Sequence, residues 1–370
     1  MIGRVDADGN LFFMQYRVPP YHLPVAGIAR AVESFRASRT ATIVEDPDLG
    51  WAPRAGSHND LFTFNDIGVR VGSPDRVYSP GRRDGVLRVE VFGDSFTLGD
   101  EVSETDSWAN RIERDLNGSG RPAEVMNFGV NGYGIDQAFL RWRTSGIDYR
   151  PDVVILGLQV ENVRRNVNLI RPLYNVFIDL PFAKPRFVRD GNQLRLINVP
   201  PIAATGLSER VRTLDRWELV QREAYYDPAN FRLRPWQRSR LLALVVDLAS
   251  RAPENREADG QFSLSMEIMG AFEASVAASG ARFLVLHLPR RQDLDTLRRG
   301  QSTADTRFVE AVRGRFSFID PADRLIQLMQ ERGSEQLFRP RGHYSAIGNE
   351  LLATAVSAEL KRIPTGAAHP

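Results

Sequence analysis

Hydrophobic positions along this chain follow two rhythms. Leu87–Val91 is a short run rich in β-branched residues that ends in Phe92-Gly93-Asp94-Ser95, and Val125-Met126-Asn127-Phe128 is a second run, closed by Gly129, Gly132 and Gly134. Pro151-Asp152 opens a third, the unbroken apolar stretch Val153–Leu158, which is the pattern of a strand covered on both faces. Between the first two runs Trp108, Ile112 and Leu116 recur at helical spacing. Strand, helix, strand, helix, strand in this order predicts a parallel, doubly wound sheet. The same rhythm returns later, with a helix around Ser265–Ser279, a strand over Arg282–Leu288 ending at Pro289, a short strand over Phe316–Ile319 and a last helix over Ile347–Leu360.

Elsewhere the pattern is less regular. Up to about Asp84 the chain is rich in Pro and Gly and reads as loops and short strands after one amphipathic helix, whose buried face is Val25, Ile28, Ala29, Val32 and Phe35. From about Asn166 to Asn255 it is rich in Arg, Pro and aromatic residues: Arg171-Pro172-Leu173-Tyr174, Lys184-Pro185-Arg186-Phe187, Trp217, Tyr225-Tyr226 and Trp236. That stretch reads as an insertion, a lid or a substrate-binding element, partly helical around Arg238–Ser250. The expected organisation is an N-terminal extension over 1–86 that packs on the core, a core over 87–165 and 256–363, an insertion over 166–255 and a tail over 364–370.

Composition narrows the function classes. With 370 residues, 42% of them hydrophobic and 25% charged, the chain is long enough for one large α/β domain with decorations or for two modest ones. Its 48 basic and 46 acidic residues nearly cancel, so a net charge of +2 implies no nucleic-acid footprint. The absence of cysteine excludes disulfides, thiol catalysis and Cys-ligated zinc. There is no H-E-x-x-H and no close histidine pair, so neither a metal nor a cofactor is expected. No apolar run approaches the roughly 18 residues of a membrane span, and the first residues lack the basic start and apolar core of a signal peptide. The expectation is a cytoplasmic protein with no membrane span.

Four blocks carry candidate chemistry. Gly93-Asp94-Ser95-Phe96-Thr97 follows a strand, where a parallel sheet binds its ligands; Ser95 there is either a nucleophile or a helix N-cap. Asn127–Gly134 follows the next strand, and its glycines either let a backbone N–H approach a substrate or form a flexible turn. Its spacing, G-x-x-G-x-G, departs from the dinucleotide fingerprint. Gly157-Leu158-Gln159-Val160-Glu161-Asn162 closes the third strand, and Asn162 either donates to an oxyanion or caps the next helix. His343, in Arg341-Gly342-His343-Tyr344-Ser345, is the candidate base. The other histidines suit that role less: His22 and His58 lie in the N-terminal segment, His369 in the tail, and His287 inside an apolar strand as a core histidine.

In this order the four blocks resemble the SGNH (GDSL-like) hydrolases, over about half the chain. Asp46–Trp51 followed by Asn65-Asp66-Ile67-Gly68-Val69-Arg70 is also similar to the lead-in before GDSF in many bacterial members. The resemblance implies a three-layer α/β/α, flavodoxin-like domain. It also implies Ser95 as nucleophile, His343 as base, and the Ser95 N–H, Gly132 and Asn162 as oxyanion donors. The chain departs from the family pattern twice. An ungapped match of the third block, usually G-x-N-D, puts Glu161 on the Asn, and an ionised carboxylate cannot donate; a shift of one residue brings Asn162 there. The Asp common two or three residues before the histidine is replaced by Arg341 and Pro340, so a backbone carbonyl or a carboxylate from elsewhere must orient His343.

The expected function is hydrolysis of a carboxylic ester, O-acetyl esters among them, on a small-molecule or glycan substrate. One alternative is transfer of the acyl group to a glycan hydroxyl, motivated by the aromatic- and Arg-rich insertion. The other is a non-catalytic binding protein on the same fold.

Overall fold

Strands β1 (Leu87–Phe92), β2 (Ala123–Asn127), β3 (Val153–Leu158), β4 (Arg282–His287) and β5 (Phe318–Ile319) lie in the order β5–β4–β3–β1–β2, every neighbouring pair parallel. The computed structural model describes residues 23–38, 42–81, 83–174, 180–191, 193–226 and 260–363, with short pieces between 3 and 17 and between 239 and 245. His22, Trp236, His369 and most of the helix expected around Arg238–Ser250 fall outside the described residues.

Register is set by burial. Every residue of β1, β2 and β3 is buried, β3 as its unbroken apolar run requires of a strand covered on both sides, β1 and β2 with Arg88, Glu90 and Glu124 among the buried residues. Alternation sends Val89, Val91, Val153, Ile155, Leu284 and Leu286 to one face. There they pack with Trp108, Ile112 and Leu116 of α2 (Trp108–Gly118), Leu325 of α8 (Ala322–Arg332) and Leu352, Val356 and Leu360 of α10 (Ala346–Leu360). Phe92 points the other way and stacks on Phe128 at 4.9 Å. It meets Trp142 of α3 (Ile135–Thr144) and Phe272 of α5 (Gln261–Ala278), each at 6.0 Å. Helices on both faces of a parallel sheet ordered in this way make the three-layer α/β/α, flavodoxin-like architecture.

Strands β1 to β4 and the helices α2, α5 and α10 lie where periodicity put them, within a few residues. The strand expected over Phe316–Ile319 is shorter, Phe318–Ile319. Helices α6 (Arg291–Arg298), α7 (Ala304–Arg315) and α9 (Ser334–Leu337) had no sequence signal, and each has a physical reason. Leu294 is the one buried residue of α6, Leu337 that of α9, and α7 buries Phe308, Val309 and Val312 among arginines and acids, so their apolar stripes are thin.

The chain divides into two compact units, one over 1–39, 168–184 and 201–256, the other over 40–167, 185–200 and 257–370. The sequence reading placed the first boundary at 86 and took 166–255 as one insertion. Contacts divide both stretches: residues 40–86 and the hairpin Arg186–Asp190/Gln193–Ile197 belong with the sheet. The reason is local to 40–86. Trp51 Nε1 donates to the Asn131 carbonyl at 3.0 Å, and the buried Arg70 side chain is used up on the loop after β1. In the other unit, a helix over Leu23–Ala37 carries the buried Ile28 and Val32 that its spacing predicted. Glu223 accepts the N–H groups of Leu169, Ile170 and Tyr225 and the Asn168 amide.

Candidate active site

The turn after β1 builds the first part of the site. Gly93 has φ +155, and a Cβ there would lie 2.2 Å from Thr97 Oγ1 and 2.8 Å from the Gly157 carbonyl, so only glycine fits. The short helix α1 (Ser95–Leu98) is capped by Asp94, whose side chain accepts the Phe96 N–H at 2.9 Å. Asp94, not Ser95, is therefore the N-cap, and the Ser95 hydroxyl is left for another partner. That partner is His343: its Nε2 lies 2.8 Å from Ser95 Oγ across 248 positions of sequence.

His343 is seated from several sides. The Phe338–Tyr344 bridge and the Arg339 N–H donating to the His343 carbonyl at 2.7 Å pinch its loop, and Gly342 at φ +97 makes the turn. Phe96 and His343 have ring centroids 4.9 Å apart. Asn349 of α10 accepts the Trp108 N–H at 3.0 Å and donates to the Tyr344 carbonyl at 3.2 Å, which ties the loop to α2.

The other ring nitrogen answers the question the sequence left open. His343 Nδ1 lies 2.9 Å from Oε2 of Glu101, which also accepts the His343 backbone N–H at 3.2 Å. Glu101 Oε1 accepts the Arg341 N–H at 3.0 Å. Burial raises the Glu101 pKa, but the donors from Arg341 and His343 outweigh it and hold the carboxyl below its ordinary value. An ionised carboxylate only accepts, so the Nδ1 proton sits between them and Nε2 is the acceptor facing Ser95. Glu101 follows Ser95 by only six residues. The position before His343 where a carboxylate was sought holds Arg341, whose Nη2 donates to Asp100 at 2.9 Å.

Glu101 stands at φ 68, a left-handed backbone that a non-glycine residue adopts only when its surroundings impose it. Arg70 imposes it. From the lead-in stretch, its guanidinium donates to the carbonyls of Leu98 at 2.5 Å, Gly99 at 2.6 Å and Val102 at 2.7 Å, clasping the loop that bears Glu101. Burial lowers the Arg70 pKa to about 10, which leaves it charged at neutral pH.

The three groups the sequence offers as donors lie on three separate turns. Gly132 has φ +81, and neither its N–H nor that of Ser95 donates to any described residue. The glycine loop is held from outside: the Tyr133 hydroxyl donates to the Trp51 carbonyl at 2.6 Å and Gln137 to the Leu49 carbonyl at 2.8 Å. Gly129 packs flat on α1, where a Cβ would lie 2.4 Å from the Leu98 nitrogen. Asn162, the first residue of α4 (Asn162–Arg165), is 1% exposed, and its side-chain amide has no partner among the described residues. Glu161 is engaged otherwise, with Arg165 at 3.3 Å and Arg290 at 3.2 Å. His287 is the core histidine its strand predicted, 1% exposed and paired with Asp320 at 2.9 Å.

Among the described residues no three His, Asp or Glu side chains cluster as a metal site would, and no helix is long and apolar enough to cross a membrane. No family model matches the chain, and no curated protein matches it. Among solved structures it is similar to a lipase/acylhydrolase from Enterococcus faecalis, at 15% identity over 76% of this chain and 99% of that one, with a TM-score of 0.39. It is similar to a member of the lipolytic protein G-D-S-L family from Veillonella parvula, at 12% identity over 75% and 99%, with a TM-score of 0.36. A catalytic mutant of an acetylxylan esterase from Geobacillus stearothermophilus gives 12% identity over 76% and 96%, with a TM-score of 0.40.

Proposed function

We propose that this chain is a serine esterase working through an acyl-enzyme, with Ser95 as nucleophile, His343 as general base and Glu101 as the group that orients the base. The observation that carries this reading is the unbroken line Ser95 Oγ–His343–Glu101, with contacts of 2.8 and 2.9 Å. A serine hydroxyl attacks an ester only when a base takes its proton, and an imidazole does so only when its other nitrogen is held protonated.

In acylation, Ser95 Oγ bonds to the ester carbonyl carbon as its proton passes to His343 Nε2. The carbonyl oxygen becomes an oxyanion, met by the N–H groups of Ser95 and Gly132 and the Asn162 amide, none of which has a partner among the described residues. The C–O bond to the alcohol then breaks, and His343 returns its proton to the departing alkoxide. Water repeats the cycle on the acyl-enzyme and releases the free acid. Glu101 stays ionised and stabilises the imidazolium that forms twice in each turnover.

The test is a fluorophosphonate probe followed by a panel of p-nitrophenyl esters from acetyl upward. Wild type is labelled and turns over at least one ester; Ser95→Ala loses both. Labelling that persists in Ser95→Ala refutes the assignment, as does a wild type that neither reacts nor hydrolyses.

A further inference from the structure

Behind the site runs a string of charges that the mechanism above does not use, Asp94 and Arg165 buried, Glu161 and Arg290 half-buried. Asp94 is fully buried and divides its two oxygens: one caps α1, and the other accepts Arg165 Nη1 at 3.0 Å. The same Nη1 donates to the Tyr133 carbonyl, one residue past Gly132, at 2.9 Å. Arg165 Nη2 reaches one oxygen of Glu161 at 3.3 Å, and the other oxygen of Glu161 accepts Arg290 Nη1 at 3.2 Å. Arg290 follows Pro289, whose carbonyl accepts the Tyr344 hydroxyl at 2.5 Å, and Tyr344 follows His343. Arg165 itself closes the helix that Asn162 begins.

We propose that Arg165 is a positioning residue whose single guanidinium sets the spacing of the three donor turns, those of Ser95, Gly132 and Asn162. The inference rests on the esterase reading and adds the element that holds its oxyanion donors together. Beyond the strand ends the backbones of the first two turns meet where the Val130 N–H donates to the Gly93 carbonyl, at 3.1 Å. One guanidinium holds Asp94 and the Tyr133 carbonyl through Nη1 and Glu161 through Nη2, two nitrogens fixed in one plane where a lysine has a single one. The arrangement also accounts for the departure in the third block. Glu161, where the family pattern has an amide, is held by two guanidiniums and anchors Arg165 from behind. Donors aimed at an oxyanion act only when placed to a fraction of an ångström, so loosening the clamp should weaken the transition state more than the ground state.

The experiment compares wild type with Arg165→Lys and Glu161→Gln. It reads kcat and KM on p-nitrophenyl acetate, inhibition by a trifluoromethyl ketone that forms a tetrahedral adduct, and amide hydrogen exchange. Arg165→Lys should lower kcat by about 10²-fold, the scale of a lost oxyanion donor, with KM nearly unchanged and the ketone weakened by a similar factor. Glu161→Gln should fall in the same direction by about tenfold. Exchange should quicken over residues 129–134 while β3 stays protected. A kcat within twofold of wild type in Arg165→Lys overturns the proposal, and so does a loss in which exchange rises across the whole sheet. If wild-type Ser95 proves inert to fluorophosphonate and to every ester, the esterase reading fails by itself. Exchange then still judges the clamp: selective loss over 129–134 upholds it, and unchanged protection there refutes it.

Discussion

At the scale of single residues, the proposed mechanism depends on Glu101, a carboxylate supplied from the loop six residues after Ser95 rather than from beside His343. Removing it leaves His343 without a partner for Nδ1, so Glu101→Ala should lower kcat by about 10³–10⁴-fold with the fold intact, read by ester turnover beside the circular dichroism spectrum. The pair also bears on acid stability. The folded pKa of Glu101 lies below its unfolded value of 4.5, so its stabilising effect is complete above that pH and is lost as pH falls through the folded value. Melting curves from pH 7 to pH 3 should therefore show a shallower acid decline in Glu101→Gln than in wild type. Parallel declines would mean that the carboxylate gains nothing from its partners.

At the scale of elements, β1 leads into the Ser95 turn and carries an oddity. Glu90 projects to the face opposite Val89 and Val91, is 0% exposed, and has no hydrogen-bond partner for either oxygen among the described residues. It packs near Gly146, Phe92 and Trp142. Burial pushes its pKa well above the ordinary carboxylate range, with Arg88 opposing. The folded chain then keeps a proton that the unfolded chain releases above about pH 4.5, so this group makes the fold less stable as pH rises. Replacing a buried, unpaired carboxyl by an apolar side chain of similar length removes a desolvation cost of about 1–3 kcal/mol. Glu90→Met should raise the Tm, and by more at pH 8 than at pH 5, measured by calorimetry. A lower Tm at both pH values would mean that the carboxyl has a partner. The sequence presents Glu90 as an ordinary interruption of an apolar strand, and nothing in its neighbours along the chain marks it.

At the scale of the whole molecule, both units bury apolar side chains, Leu169, Phe182, Leu207 and Leu214 among them in the unit without the sheet. That unit also gathers backbone donors on one buried carboxylate, that of Glu223, whose pKa burial raises against the hydrogen bonds it accepts. Glu223→Ala leaves those donors unsatisfied and should cost about 3 kcal/mol or more. Hydrogen exchange should show the loss over residues 168–174 and 201–226, and unchanged protection there would mean that apolar contacts alone hold those segments.

Sequence alone determined what depends on neighbours a few positions apart. Alternation and apolar runs marked the central strands, helical spacing marked α2, α5 and α10, and strand-end Gly, Ser and Asn with a His before the last helix suggested the candidate site. Only tertiary structure decided which groups from distant turns meet. That Glu101 rather than a residue beside His343 faces Nδ1 depends on Arg70 bending the loop after α1, and that Asp94 rather than Ser95 caps α1 depends on dihedral angles. The role of Glu161 depends on where Arg165 and Arg290 arrive. These are facts of approach in space, and the pattern of residues along a chain carries no record of them until the sheet has brought its strand ends to one edge.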